Sequence, residues 1–255
     1  MITENDLELI SSVISLSDAL FSSRPEKKCD IAAAPLLRAS PEKEEDNITA
    51  AITDTSVSLQ NIARKISSCS RCRLCGGRKN TVPGIGVPNP LVLVIGEGPG
   101  ADEDATGEPF VGKAGQLLDK MLAAICLSRK TNCFIANIVK CRPPNNRDPQ
   151  QDEADACRSF LDAQISVLKP KLILTLGRIA VQNLLNTTTG INRLRGQFFE
   201  YKGIPLLPTY HPSALLRNED LKRPAWEDLK VFRSRLEEMT GCSFDPKAQG
   251  GSSIK

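Results

Sequence analysis

The segment that most limits how this chain can fold is residues 91–122, LVLVIGEGPGADEDATGEPFVGKAGQLLDKML. It opens with Leu91–Ile95, an unbroken apolar run typical of a strand that is buried on both faces of a parallel sheet. A Gly-rich and acid-rich loop follows, and Gly115–Leu127 then places apolar residues on one face of a helix. Because a buried parallel strand needs further strand–helix units to pair with, this segment predicts an α/β fold.

The rest of the chain repeats the pattern of strand followed by helix. Strands are predicted at 134–139 and 171–176, helices at 152–168, 177–185 and 225–239, and a hairpin at 197–207. We expect a three-layer α/β/α sandwich around a mainly parallel central sheet. Glu97, Asn137 and His211 each follow or end a predicted strand, and sites of such folds gather at the carboxyl ends of strands.

Charge and composition divide the chain into three parts. Residues 1–60 carry 11 acidic and 5 basic side chains, and the remainder carries 28 basic and 19 acidic ones. We expect residues 1–60 to form a short helix (2–22) and a flexible acidic linker (23–58), residues 61–240 a folded domain, and residues 241–255 a disordered tail. The basic body suits a polyanionic partner, although it suits an ordinary Lys/Arg-rich surface equally well.

The chain contains nine cysteines but shows no secretory h-region and no apolar run of about 18 residues. We therefore expect a cytoplasmic, reduced protein without membrane association, in which clustered cysteines are ligands. Cys69-x2-Cys72 followed by Cys141 and Cys157 suits an iron–sulfur cluster or tetrahedral zinc. On spacing alone Cys75 could replace Cys69.

The loop Gly96-x-Gly98-x-x-Ala101 fits a dinucleotide fingerprint only loosely. Pro99 removes an N–H from the loop, and three consecutive acids would repel a pyrophosphate, so a neutral ligand fits better. His211, the single histidine, opens the segment HPSALLR, whose leucines we expect to be exposed. Exposed leucines beside an arginine are typical of side chains that insert into a base stack.

Several longer motifs, in this order, resemble those of the family 4 uracil-DNA glycosylases, the iron–sulfur type of the uracil-DNA glycosylase superfamily. They are Cys69-x2-Cys72-x-Leu74, GEGPG from Gly96, GEPFVGKAGQLLD from Gly107, NIVKCRPP from Asn137, Cys157 and HPSALLR from His211. The resemblance covers about residues 65–240. It implies removal of uracil from DNA and a [4Fe–4S] cluster held by Cys69, Cys72, Cys141 and Cys157, with Cys75 outside the ligand set.

The resemblance also implies roles for the residues at the strand ends. Phe110 would stack on a flipped uracil, the Asn137 amide would read its Watson–Crick edge, and His211 would donate to O2 with help from backbone near Gly98. Glu97 would position water or stabilise charge. The implied contacts to DNA are Lys113, Lys140, Arg142, Arg147, Leu215, Leu216 and Arg217.

The expected partner is uracil-containing DNA, bound by a monomer, and residues 1–60 are a candidate segment for a repair or replication partner. Two other classes of protein share some of these features. A non-catalytic nucleic-acid-binding module would explain the basic body and the cysteines, and a dinucleotide-dependent oxidoreductase would explain the glycine loop. Within the superfamily, branches with broader base specificity are the nearer alternative.

Overall fold

The structure is a computed structural model and describes residues 41–244, with side chains from residue 54 onwards. Its centre is a six-stranded sheet in the order β1-β3-β2-β4-β6-β5. The four central strands are parallel, whereas β1 and β5 run antiparallel to their neighbours. The strands are β1 (Ile85–Gly86), β2 (Val92–Gly96), β3 (Cys133–Asn137), β4 (Leu172–Leu176), β5 (Phe199–Tyr201) and β6 (Ile204–Thr209).

Helices connect the strands and cover both faces of the sheet. They are α1 (Pro41–Ser67), α2 (Ala101–Thr106), α3 (Lys113–Ala123), α4 (Gln151–Leu168), α5 (Gly177–Leu185), α6 (Ile191–Leu194), α7 (Pro212–Arg217) and α8 (Lys222–Thr240). Short 3-10 turns occupy Arg73–Gly76, Pro144–Asn146 and Glu219–Leu221. None of the helices in the described range has the length and apolarity that crossing a membrane requires.

Two apolar cores lie on opposite faces of the sheet, and alternate residues of β2 enter each one. Val92 and Val94 pack with α3 and α8, whereas Leu93 and Ile95 pack with the helices of the other face. All five residues of β2, β3 and β4 are buried, as expected for strands covered on both sides. The predicted three-layer α/β/α sandwich with a mainly parallel sheet is confirmed.

The ends of the domain differ from the prediction. Residues 41–58, expected in the flexible linker, belong to α1, which packs on α4 through Leu59, Ile62 and Ile66. The apolar residues of its last turns anchor α1 to the domain, and the helix continues from there toward its N-terminus. At the other end Phe244 is buried, so the domain continues past residue 240. The predicted helix at 2–22 and the tail from residue 245 lie outside the described residues.

Candidate active site

Three polar residues meet at the carboxyl edge of the sheet, because β2, β3 and β6 all end there. Gly96 pairs with Asn137 at the ends of β2 and β3, and Glu97 follows directly. The chain continues the pairing beyond the strands, since the N–H of Val139 donates to the Glu97 carbonyl at 3.1 Å. β6 ends at Thr209, two residues before His211.

Gly96 is the floor of this site, and its missing side chain creates the space above it. A Cβ on Gly96 would lie 2.5 Å from Asn137 Oδ1 and 2.7 Å from Phe110 Cζ. Asn137 is 1% exposed, yet its Oδ1 has no hydrogen-bond partner among the described residues. A buried amide oxygen without a donor is costly, so this atom marks a position where a ligand N–H is expected.

Phe110 forms one wall of the site in a backbone conformation that its neighbours impose. Its φ of 54° lies in the left-handed region, which an aromatic residue rarely adopts. Glu103 supports the turn because its carboxylate accepts the N–H groups of Val111 and Gly112. Gly115 allows α3 to pass close by, since a Cβ there would lie 1.9 Å from the Phe110 carbonyl oxygen.

His211 lies beside Phe110, with 5.6 Å between the ring centroids and 30° between the ring planes. The imidazole caps α7, and its Nδ1 accepts the Ser213 N–H at 3.1 Å. Burial lowers the pKa of His211 to about 4, helped by the positive charge of Arg217 and opposed by Glu103. A neutral imidazole whose Nδ1 accepts must carry its proton on Nε2, so His211 is a neutral donor at pH 7.

Glu97 is half-buried, and this desolvation raises the pKa of its carboxyl to about 7. The negative charge of Asp148 adds to the shift, whereas Arg178 opposes it. Arg178, at the start of α5, forms an ion pair with Asp148. Neither residue of this pair was among the predicted site residues. The signal that could have found Arg178 is its place directly after the end of β4, at the same edge as Glu97.

Four cysteines from separate elements line one cavity. Cys69 follows α1, Cys72 precedes the first 3-10 turn, Cys141 follows β3, and Cys157 lies on α4. Cys75 also reaches the cavity. In the described range no three Cys, His, Asp or Glu side chains come close enough to hold one metal ion. The four cysteines share one cavity lining, and four thiolates are the ligand set of a [4Fe–4S] cluster.

Three cations, Arg71, Arg78 and Lys140, line this cavity. The Arg78 guanidinium donates to Cys141 Sγ at 3.2 Å and to the Ser67 carbonyl at 3.1 Å. Burial raises the pKa of the Cys157 thiol, and the charge and the backbone N–H of Lys140 oppose that shift.

Two of the predicted DNA contacts, Lys140 and Leu215, are contradicted by their burial, and a third, Arg147, is engaged in an ion pair but stays partly exposed. Lys140 is 1% exposed and donates to the Asn137 carbonyl and to Gln164, so it cannot reach phosphate. Leu215 is fully buried in the apolar core, because the segment after His211 is helix α7 and not an exposed loop. Arg147 binds the carboxylate of buried Glu153 through both of its terminal nitrogens, so its charge is already compensated.

The remaining predicted contacts are accessible. Lys113 and Arg217 are exposed, and Arg142 is half-buried with its Nε bonded to Asn146 Oδ1 at 2.8 Å. Leu216 is 49% exposed on α7, three positions after Ser213, whose N–H the His211 ring accepts. Gly98 lies against Val139, where a Cβ would approach the valine methyl to 2.7 Å.

Comparison with known proteins shows the family of the chain. The model of the Uracil DNA glycosylase superfamily matches residues 83–230. The type-4 uracil-DNA glycosylase of Sulfurisphaera tokodaii is 42% identical over 69% of this chain and 84% of its own length, and that of Archaeoglobus fulgidus is 41% identical over 74% and 98%. A type-5 uracil-DNA glycosylase of Pyrobaculum aerophilum is less similar, at 30% identity over 71% of this chain and 93% of its own. The chain therefore belongs to the uracil-DNA glycosylase superfamily, and within it to the type-4 uracil-DNA glycosylases.

Proposed function

We propose that this protein is a DNA-repair glycosylase that hydrolyses the N-glycosidic bond of uracil in DNA, releasing the base and leaving an abasic site. The observation that carries the proposal is the unpartnered, buried Oδ1 of Asn137 beside the Phe110 ring and the His211 donor. The names of its type-4 relatives support the same substrate.

A flipped uracil would lie with its ring on Phe110 and its edge toward Asn137. The unpartnered Oδ1 would accept the N3–H of uracil, and the Nδ2 of the same amide would donate to O4. Cytosine presents an acceptor at N3 and a donor at C4, so it would leave both groups of the amide unpaired. The desolvation penalty of two unpaired buried groups, about 1–3 kcal/mol each, disfavours cytosine.

Cleavage of the glycosidic bond leaves negative charge on uracil and positive charge on the sugar. The Nε2–H of neutral His211 would donate to uracil O2, where the negative charge develops. Glu97, ionised above its pKa of about 7, would stabilise the sugar cation and orient the attacking water from the floor side of the site. The Asp148–Arg178 ion pair sets how readily Glu97 ionises.

Cys69, Cys72, Cys141 and Cys157 would hold a [4Fe–4S] cluster in the cavity between α1, β3 and α4. When bound, the cluster would supply a crosslink among these chain segments. Arg78 and Lys140 would balance its negative charge. Analysis of iron and acid-labile sulfide in purified protein tests this assignment, and replacement of Cys157 by Ser should remove both.

The deciding experiment is a glycosylase assay on oligonucleotides that carry one uracil, thymine or hypoxanthine in otherwise identical sequences. Protein and then alkali should break only the uracil strand, in single-stranded and in duplex form. Intact uracil DNA at high enzyme concentration would overturn the proposal. Comparable cleavage at hypoxanthine would instead assign the protein a broader base specificity.

A further inference from the structure

Lys140 is a buried cation whose surroundings are unusual for a charged side chain. It is 1% exposed, and its Nζ donates to the Asn137 carbonyl at 2.9 Å and to Gln164 Oε1 at 2.8 Å. Both acceptors are neutral. Gln164 is itself buried and is held by its other end, because its Nε2 donates to the Pro83 carbonyl. Among the described residues, no carboxylate forms an ion pair with this ammonium.

A buried ammonium without a counter-charge costs several kcal/mol, and folded proteins retain one only when something compensates it. Lys140 and Cys157 both line the four-cysteine cavity, so a thiolate ligand in this cavity would be an anionic neighbour of the ammonium. A [4Fe–4S]²⁺ core with four thiolates carries a net negative charge. A bound cluster would supply the counter-charge that the described residues around Lys140 do not supply.

The same ammonium is directly bonded to the base pocket. Its hydrogen bond to the Asn137 carbonyl lies at the last residue of β3, whose side chain carries the unpartnered Oδ1. Lys140 thus contacts the cluster cavity on one side and the base-reading residue on the other. The other two cations of the cavity lining do not bond to β3: Arg71 donates to Ser159 Oγ, and Arg78 donates to Cys141 Sγ and to the Ser67 carbonyl.

We propose that Lys140 is a positioning residue that couples the two sites: its ammonium is the counter-cation of the cluster and fixes the end of β3 that presents the Asn137 amide to uracil. This inference rests on the proposed function, since it requires both the cluster and the uracil pocket. Under this proposal the cluster contributes to base recognition through the Lys140 side chain.

The test compares Lys140→Met and Lys140→Arg with the wild type in the full-length, cluster-loaded protein. Three quantities are measured: iron and sulfide content, the reduction potential of the cluster, and the Kd for free uracil. Lys140→Met should shift the potential to more negative values, because one positive charge near the cluster is lost. The same variant should weaken uracil binding about fivefold to tenfold, the effect of losing one hydrogen bond that positions the amide.

Two further variants separate this coupling from general damage. Arg78→Met should also shift the potential but change the uracil Kd less than Lys140→Met does, because Arg78 does not contact β3. Lys171→Met removes the same charge at the opposite edge of the sheet, where Lys171 is exposed, and should change neither quantity. An unchanged potential or an unchanged uracil Kd in Lys140→Met would overturn the proposal.

If Lys140→Met retains no cluster, Lys140→Arg decides the question. A charge-based role predicts that Lys140→Arg still holds iron and sulfide. If neither variant holds them, Lys140 acts through packing alone and the proposal fails. Absence of a cluster or of uracil excision in the wild type would instead refute the proposed function.

Discussion

At the residue scale, the site depends on groups whose ordinary partners are missing or whose charge is suppressed. Asn137 offers an unpaired oxygen, His211 is kept neutral, and Glu97 titrates near neutral pH. Each property follows from burial, which removes water from a polar group without supplying a protein partner. Under the proposed function, the three residues would line the site of a polar but uncharged ring.

Replacing Asn137 by Ala should lower kcat/KM for uracil DNA by about 10²-fold or more, because the transition state loses both edge contacts. Steady-state excision kinetics measure this change. Asn183→Ala is a matched control, since Asn183 on α5 also has a buried Oδ1 without a partner but lies away from the carboxyl edge. The control should stay within about twofold of wild type. Equal loss in both variants would assign Asn137 a structural role only.

The pH dependence of kcat/KM should follow the ionisation of Glu97. The active form is the carboxylate, so the rate should rise with pH and reach half its plateau near pH 7, where the raised pKa of Glu97 lies. His211, with a pKa of about 4, stays neutral throughout and adds no second titration between pH 5 and 8.

Asp148→Asn provides the directional check on this profile. Removing the negative charge of Asp148, which raises the pKa of Glu97, should move the midpoint to lower pH. Glu97→Gln should be slow and independent of pH over the same range. A flat wild-type profile, or a midpoint that moves upward in Asp148→Asn, would contradict the role of the carboxylate.

At the scale of elements, α7 shows which properties could be predicted from sequence and which could not. The motif HPSALLR identified the segment, but periodicity over six residues is too short to separate a loop from a helix. Leu215 faces the core and Leu216 faces solvent only because His211 caps the helix and fixes its rotation. Likewise, the sequence NIVKCRPP predicts a surface cation at Lys140. In the folded domain Lys140 is buried, and its ammonium donates to Gln164 of α4, which is distant in sequence.

The two leucines of α7 should therefore behave oppositely. Leu215→Ala should reduce the free energy of unfolding by about 2–5 kcal/mol, since it opens a cavity in a closed core. Leu216→Ala should leave stability within about 0.5 kcal/mol but lower excision from duplex DNA more than from single strands, because the exposed leucine fills the stack that the base vacates. Urea denaturation and the ratio of duplex to single-strand rates measure these effects.

The end of β6 is held by a buried polar network that the apolar pattern could not reveal. Asp228 of α8 accepts from Arg195 at 2.7 Å and from Thr209 Oγ1 at 2.7 Å, so it ties the strand that leads to His211. Asp228→Asn should lower the free energy of unfolding by about 3–5 kcal/mol, because it leaves the Arg195 charge without compensation. Glu238→Gln, which breaks the exposed pair with Arg235, should change it by less than about 1 kcal/mol.

At the scale of the whole molecule, the basic body should make DNA affinity dependent on salt. If the accessible cations among the predicted DNA contacts, Lys113, Arg142 and Arg217, each neutralise one phosphate, about three phosphates are neutralised. The association constant should then fall about 40-fold between 50 and 200 mM salt, measured by fluorescence anisotropy. Lys113→Gln should reduce the slope of log K against log salt by about one, and Lys230→Gln, on α8, should not.

The fold class and the three strand-end residues could be predicted from the alternation of strands and helices. Which basic side chains are free to bind a partner could not. Arg147 and Lys140 carry the same charge as Lys113. Only the tertiary structure shows that Arg147 is paired with Glu153 and that Lys140 lines the cysteine cavity. Side-chain pairings between residues far apart in sequence are not encoded in local periodicity.

The cavity lined by the four cysteines also imposes an order on the biosynthesis of the chain. Cys69 and Cys72 precede β1, whereas Cys157 lies on α4, so the first three strands separate the two halves of the site. A ribosome exposes the first pair long before the last sulfur emerges. If the cavity holds the proposed cluster, iron and sulfide delivery would wait until β3 and α4 have packed, and a nascent chain that stalls earlier would present Cys69, Cys72 and Cys75 as free thiols in place of a finished site.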